Sequence, residues 1–485
     1  MKIIHRRLIF WIFFIIFLAI SPLVIYYSQG FRYDKYHGIF IHSGSVTIKS
    51  LPTSVNIYLN DDLQPTKSLD IINSSITLNG LRPGNYNLRV SSEGYQDWEK
   101  RIEVHSGIST EFWNVILLPK TAKLQELGAS GAERFFPSPF GKRVAYIKSN
   151  ENQFQIWFLN VGQNDPQVIY SGENISFPED KLENLEWNFK ESYIVSPVIR
   201  NNQKDYLITS ADLDIEASFL SEMTKLKDLQ KARWSSKEKG VIYFLAKADG
   251  KISTDLYKLD IDSKEIILVT EDIKTYDFSS SGLYFIRNNN ILYSSDLSGE
   301  NITQITFSPF TESEISSEAR LIVFDEDRQA LILKNGELFV RNKAAEDTIQ
   351  KLGDNVIGVQ FSDDGKKLLY WSNNEIDVLF LKEWKTQPRR EENETQQIIR
   401  FSSNIDNVFW YRDYEHVFFT NQNKMKIIEL DSRDHRSSME IFNNNLNEFP
   451  ATYDSGNGRF YFVHEVNGQR ILNYIDIPEK TGFFQ

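Results

Sequence analysis

The chain contains no cysteine in 485 residues. Disulfides, thiolate metal sites and a cysteine nucleophile are therefore excluded. Histidine is scarce. The seven residues are His5, His37, His42, His105, His416, His435 and His464. None stands in an H-E-x-x-H pattern or forms a close ligand pair. His37 and His42 are near each other, but they fall in a connector where solvent exposure is expected. No G-x-S-x-G elbow, Walker loop or G-x-G-x-x-G run occurs. Positive charge is also short: the net charge is −12. That sign repels phosphates, so nucleic acid is not expected as a partner. The sequence thus names no catalytic residue, no cofactor-binding residue and no metal ligand.

Long apolar runs are missing except for one, Leu8 to Tyr27, interrupted only by Ser21 and Pro22. Such a run of about 20 residues spans a bilayer as a helix. Lys2, Arg6 and Arg7 precede it, so the positive-inside rule keeps this end cytoplasmic and sends the remainder out. A cleaved signal peptide has a shorter apolar region followed by small residues. Here the run ends in VIYYSQGF, and an uncleaved anchor is expected. The chain is then a single-pass protein of the cell membrane with its bulk extracytoplasmic. An outside portion without cysteine points to a bacterial source.

What the chain has in plenty is aromatic residues, 13% with 34 Phe and 22 Tyr, which favours β architecture. After a connector, Val46, Ile48, Val55, Ile57 and Leu59 alternate with polar residues, the period of half-buried strands. Leu81-Arg82-Pro83-Gly84 is a turn signal. Tyr86, Leu88 and Val90 then alternate, followed by Trp98, Ile102 and Val104, and by Phe112, Val115, Leu117 and Leu118. A small antiparallel β-sandwich follows from this pattern. Leu69 to Asn79 reads as an insertion or longer loop. Tyr95 and Trp98 are expected to pack the sandwich rather than hold a ligand.

The segment from residue 44 to 119 resembles the PEGA domain of bacterial surface proteins. The likeness is carried by Ser50-x-Pro52, by Val55-x-Ile57-Tyr58-Leu59-Asn60-Asp61 and by Leu81-x-Pro83-Gly84-x-Tyr86-x-Leu88-x-Val90. It continues in Gly94-Tyr95-x-x-Trp98 and Ile102-x-Val104-x-x-Gly107. Val55 stands where the family has a small Ala, and Asn60-Asp61 where it has Asp-Gly. The resemblance implies an extracytoplasmic β module used in display or adhesion.

Beyond Lys120 the pattern repeats at roughly 40 to 50 residues, the signature of a propeller array. Copies begin at Phe135, Leu185, Ala232, Tyr276, Ser313, Val359, Val408 and Phe449. Each has an apolar pair, a polar turn and an alternating strand. About eight blades are expected, or seven if one weak unit is an insertion. Ala122 to Gly128 reads as a lone outer strand that completes the last blade and hides its edge. The charged stretch Gln387 to Gln397 reads as a solvated loop. The stronger copies resemble TolB-like and WD-repeat-like propellers. SPFGKRVAYIKSNENQFQIWFLNV and FSDDGKKLLYWSNNEIDVLFL carry that likeness, which implies fold only.

The expected fold class is therefore all-β with one transmembrane helix. Residues 1–30 are the cytoplasmic tip and anchor, 31–43 a connector, 44–119 the sandwich and 120–485 the propeller.

Two acidic runs are candidate cation sites. Asp260, Asp262 and Glu271 match positions 1, 3 and 12 of a calcium loop, but Lys264 and Glu265 occupy position 5 and the turn glycine. Asp212, Asp214, Glu216 and Glu222 are spaced as a solvated loop or short helix. Ala211 to Gln230 is the most helix-like part of the body. The binding site of a propeller lies at its channel mouth, built from loops of several blades, and its residues cannot be read from local sequence. The expected function is noncatalytic recognition or scaffolding, presenting the propeller to an envelope protein or a wall glycan. The alternatives are a propeller hydrolase or lyase acting on a cell-envelope substrate, and a self-assembling structural component.

Overall fold

The computed structural model describes residues 3–34, 38–65, 75–150, 153–163, 165–179, 183–212, 215–248, 250–279, 282–343, 348–444, 446, 448 and 450–477. The N-terminal helix α1 (Ile3–Ser28) is apolar, with mean hydropathy 2.9 over Arg6–Ser28, and none of that window is buried. Leu8, Phe10, Trp11 and Phe13 all project outward without protein partners to bury them. Inside it, the Ser21 hydroxyl donates to Phe17 O at 2.6 Å, one turn back.

The connector carries structure of its own. Phe31–Asp34 and Ile39–His42 pair as a hairpin, where sequence reading expected only a linker. His42 is half-buried rather than solvated. Its ring stacks on Phe31 at 4.8 Å and its Nε2 lies 2.7 Å from Gln29 O. His37 lies outside the described residues.

The sandwich has a three-stranded sheet ordered Ser75–Leu81, Gly44–Leu51, Ser109–Ile116. It faces a four-stranded sheet ordered Asp62–Leu63, Asn56–Leu59, Gly84–Ser91, Trp98–Val104. One pairing corrects the antiparallel expectation: Gly44–Leu51 runs parallel to Ser109–Ile116. Parallel neighbours need a long crossover, and the second sheet supplies it. Ser75 to Asn79, expected in a loop, is strand paired to Ser45–Lys49; residues 66–74 lie outside the described residues. Asn60 and Asp61 both take left-handed φ, 50° and 67°, which is what a two-residue type I′ hairpin requires.

The body holds eight sheets among the described residues. Each starts with an inner strand and runs outward in sequence order. The last is completed from the other end of the body: Gln125–Ser130 pairs with Gln469–Asp476 at the outer edge. Apolar clusters join each blade to the next. The first blade packs on the second through Ile147, Phe154, Ile194 and Val198. The eighth packs on the first through Tyr461, Val463, Val144 and Tyr146, so the ring closes. Aromatic donors at the inner strands tie the same neighbours. Trp187 Nε1 donates to Phe136 O at 2.9 Å, Trp234 Nε1 to Glu186 O at 3.1 Å, and Trp410 Nε1 to Gln360 O at 3.0 Å. A buried indole N–H needs such a partner, and each one spans two blades. This is a β-propeller.

Among its described residues, the helix-like segment Ala211–Gln230 is a helix only over α2, Leu220–Thr224. Lys227–Trp234 is the inner strand of the third blade. Packing overrides periodicity here: Leu229 and Trp234 are buried against the neighbouring blade.

Candidate functional site

A cavity of about 1160 Å³ lies against the inner strands of blades two to five. Its floor comes from Lys227–Trp234, Ile273–Ser279 and Arg320–Val323. Its rim includes Asn201, in the turn between the second and third strands of blade two, and Ser317, just before the inner strand of blade five. Both features lie at the same end of the ring, since a turn joining strands two and three sits where strand one begins.

The inner strand of blade three is irregular. Its register slips twice, between Lys227 and Gln230 and between Gln230 and Arg233. Asp228 and Lys231 take left-handed φ of 54° and 51°. A non-glycine residue there is strained, and bulges re-aim side chains. Lys231 Nζ reaches to Thr275 Oγ1 at 2.8 Å on blade four and to Ala319 O beside blade five. Arg233 sits between two carboxylates, with Glu186 Oε2 at 3.3 Å and the Asp277 carboxylate in contact. Asp277 also accepts from Val323 N at 2.8 Å. Glu183 accepts from Lys204 at 2.6 Å and from the Tyr206 hydroxyl. Arg320 donates to Ile357 O at 2.6 Å.

The electrostatics follow from depth. Burial holds the Lys231 ammonium down to about 7, with Glu183 opposing and Lys204 and Arg320 adding to the shift. Burial likewise lowers Arg320. Burial raises the Glu186 carboxyl, partly offset by Arg233.

None of these residues was named from sequence. Lys231 and Arg320 are far apart in the chain, and only ring closure brings them together. Four carboxylates of the acidic runs, by contrast, are already engaged. Asp212 pairs with Arg143 at 2.7 Å and Glu222 with Arg200 at 2.6 Å; Asp214 lies outside the described residues. Asp260 accepts from Asp262 N and Ser263 N to close a turn between strands, and Glu271 pairs with Lys251 at 2.7 Å. Among the described residues no cluster of three or more ligating side chains forms. The histidines stay scattered: His105 lies 3.7 Å from Glu103, His435 2.7 Å from Asp434, and His464 packs on the Phe442 ring. His416 is buried and lies 2.8 Å from Asp413.

A second constellation joins sandwich to propeller. Lys100 Nζ lies 2.7 Å from Glu429 Oε1, with side-chain exposures of 0% and 5%. It also donates to the carbonyls of Asp431 (3.0 Å), Arg433 (2.8 Å) and His435. Trp98 packs on Phe112 at 5.2 Å as expected, but its Nε1 donates to Glu429 Oε2 at 3.1 Å, across the seam. Arg433 lies over the Phe112 ring at 4.0 Å and donates to Glu111 O at 2.7 Å. Gln387 makes two bonds to the sandwich backbone, at Glu111 N (3.1 Å) and Ser109 O (2.9 Å). Arg390 is buried. The stretch read as a solvated loop is therefore part of an interface. The seam uses turns between the third and fourth strands of blades six and seven, the end of the ring opposite the cavity rim.

A sandwich locked to a closed β-propeller, with an apolar helix ahead of both, defines the class of protein. Residues 43–116 match the model of the PEGA domain. No curated protein sequence matches the chain. Among solved structures, the β-propeller domain of Swd1 from Myceliophteria thermophila is 10% identical with a TM-score of 0.41, covering 73% of this chain and 98% of that one. An oligogalacturonate lyase from Vibrio parahaemolyticus is 12% identical with a TM-score of 0.40, covering 74% and 94%. A prolyl endopeptidase is 12% identical with a TM-score of 0.40, covering 70% of this chain and 55% of its own, so the chain spans about half its length. No activity follows from these likenesses.

Proposed function

We propose that this is a bacterial, single-pass envelope protein whose propeller channel recognises a partner without turning it over. The carrying observation is the cavity of about 1160 Å³, polar and charged, assembled from four blades. The seam supports the reading. It holds the sandwich, and with it the tether, at the end of the ring away from the cavity rim, so the cavity opens away from the bilayer. The partner is an envelope protein or a wall glycan. Cross-linking the full-length protein in its native membranes, then analysing the eluate for proteins and glycans, tests this. A stoichiometric protein or a retained glycan is expected; recovery of neither refutes the proposal.

One observation favours a second reading, a hydrolase or lyase. Glu186 and Asp277 converge on Arg233 in the same cavity as Lys231. Turnover of a wall-derived substrate, lost in Glu186→Gln and Asp277→Asn with the fold intact, would establish that reading instead.

A further inference from the structure

The carboxylates that line the channel are already partnered. Glu183 has Lys204 and Tyr206, and Glu186 and Asp277 share Arg233. Asp205 accepts from the Ser221 hydroxyl and amide at 2.5 and 3.1 Å. Asp228 pairs with Lys247 at 3.0 Å and Glu318 with Lys334 at 2.7 Å. Two cations are left in a different state. Lys231 donates to a hydroxyl and a carbonyl, and Arg320 to a carbonyl. Among the described residues neither forms an ion pair with a carboxylate. Both line the same cavity.

A deep cation held only by neutral oxygens is incompletely compensated, and an anion supplies the strongest missing partner. The backbone reinforces the point. Lys231 sits at φ 51° within the second register slip, so the strand accepts strain where it aims this ammonium across the channel. Side-chain amides line the same cavity, at Asn184, Asn201, Gln203 and Gln230. Amides that both donate and accept suit a polyhydroxylated frame.

We infer that the Lys231–Arg320 corner binds the carboxylate of a short acidic oligosaccharide, whose hydroxyls meet those amides. This rests on the channel being a binding site. The same corner would take inorganic phosphate by its charge alone, which the test separates. Anion binding pulls Lys231 towards its protonated form. Glu183 and Asp277 already favour that form, and Lys204 and Arg320 oppose it.

The full-length protein in detergent micelles is titrated calorimetrically with a glucuronate tetramer, an uncharged glucose tetramer and inorganic phosphate. The glucuronate tetramer is expected to bind at least about tenfold more tightly than either of the others. Lys231→Met and Arg320→Gln should each weaken it by about tenfold to a hundredfold. At pH 7 binding should take up a fraction of a proton, because a group near 7 is partly deprotonated there. Lys231→Arg keeps the charge and removes the titration, so it should bind with no such uptake, which holds the test open if Lys231→Met fails to fold. Equal binding of the two tetramers, phosphate binding as tight as glucuronate, or unchanged affinity in both charge-removing variants overturns the inference. Failure of all three probes alongside a protein partner in the cross-linked eluate would overturn it while leaving the binding-platform reading intact.

Discussion

Lys100→Met tests whether the seam is a rigid joint. Methionine keeps most of the aliphatic stem and removes the ammonium. The Glu429 carboxylate then retains Trp98 Nε1 at 3.1 Å and Ser437 N at 2.7 Å, but loses its cation. Three carbonyls, of Asp431, Arg433 and His435, lose their shared donor. Breaking a buried ion pair from one side costs about 3–5 kcal/mol, because the remaining charge is uncompensated. That is a large part of the roughly 5–15 kcal/mol that holds a typical domain together. The loss should fall on the seam first. Hydrogen exchange of the full-length protein should rise in residues 431–437 and 98–104, while the inner strands of blades two to five stay protected. Lys100→Met/Glu429→Met removes both ions and should cost less in urea unfolding than the sum of the two single variants. A cost below about 1 kcal/mol with no local rise in exchange, or a double variant as unstable as the sum of the singles, would refute the reasoning.

Three further outcomes are expected. At His416, burial lowers the ring's affinity for a proton but the Asp413 carboxylate outweighs it and the net shift is upward from 6.5; at Asp413, burial pushes upward and His416 outweighs it, leaving the carboxyl below 3.8. The His416 contribution is therefore complete below pH 6.5 and fades as pH rises through the raised value, while that of Asp413 fades as pH falls through its lowered one. His416→Gln should cost most stability between about pH 4 and 6.5, and a pH-independent cost would contradict this. Burial, helped by Glu375, lifts the Asp377 carboxyl from 3.8 to about 6. Its ionisation works against the fold increasingly from pH 3.8 up to that value and fully above it, so Asp377→Asn should stabilise by about 1–2 kcal/mol at pH 7 after allowance for partial exposure, and not at all below pH 3.8; thermal melts at both pH values decide it. Leu127, 4% exposed on the strand that closes the ring, should cost about 2–4 kcal/mol as Leu127→Ala, with exchange rising in Gln469–Asp476; a loss confined to the N-terminal strand would argue against closure.

What could be read from the sequence was whatever depends on neighbours in sequence. Three inner strands carry a tryptophan at the same place, Trp187, Trp234 and Trp410, and each donates to the blade before it. The closing strand was legible for a related reason. Leu127 and Ala129 alternate with polar residues in a segment that has no hairpin partner beside it. Gln387 misleads because its partners, Ser109 and Glu111, lie more than 270 residues away. The channel is opaque for the same cause: Lys231 meets Ala319 across 88 residues.

Lys100 is the exception, since its signal is local to its own strand. Trp98–Val104 alternates buried and exposed positions without a break, and Lys100 holds a buried one, in step with Trp98, Ile102 and Val104. A lysine on the inward face of a strand needs a counter-charge that the strand cannot supply itself. Among the described residues of the sandwich no carboxylate meets it; Glu429 does, from the propeller. That one inward cation therefore already requires a docked partner. It separates a tethered module that swings freely from one that holds the ring in a set orientation. The apolar cluster shared by Val46, Trp98 and Phe112 with Phe418, Ile427 and Phe460 agrees with the second. Ion pairs of this kind add little stability over an apolar contact but fix register. Here the register is that of the channel mouth relative to the tether.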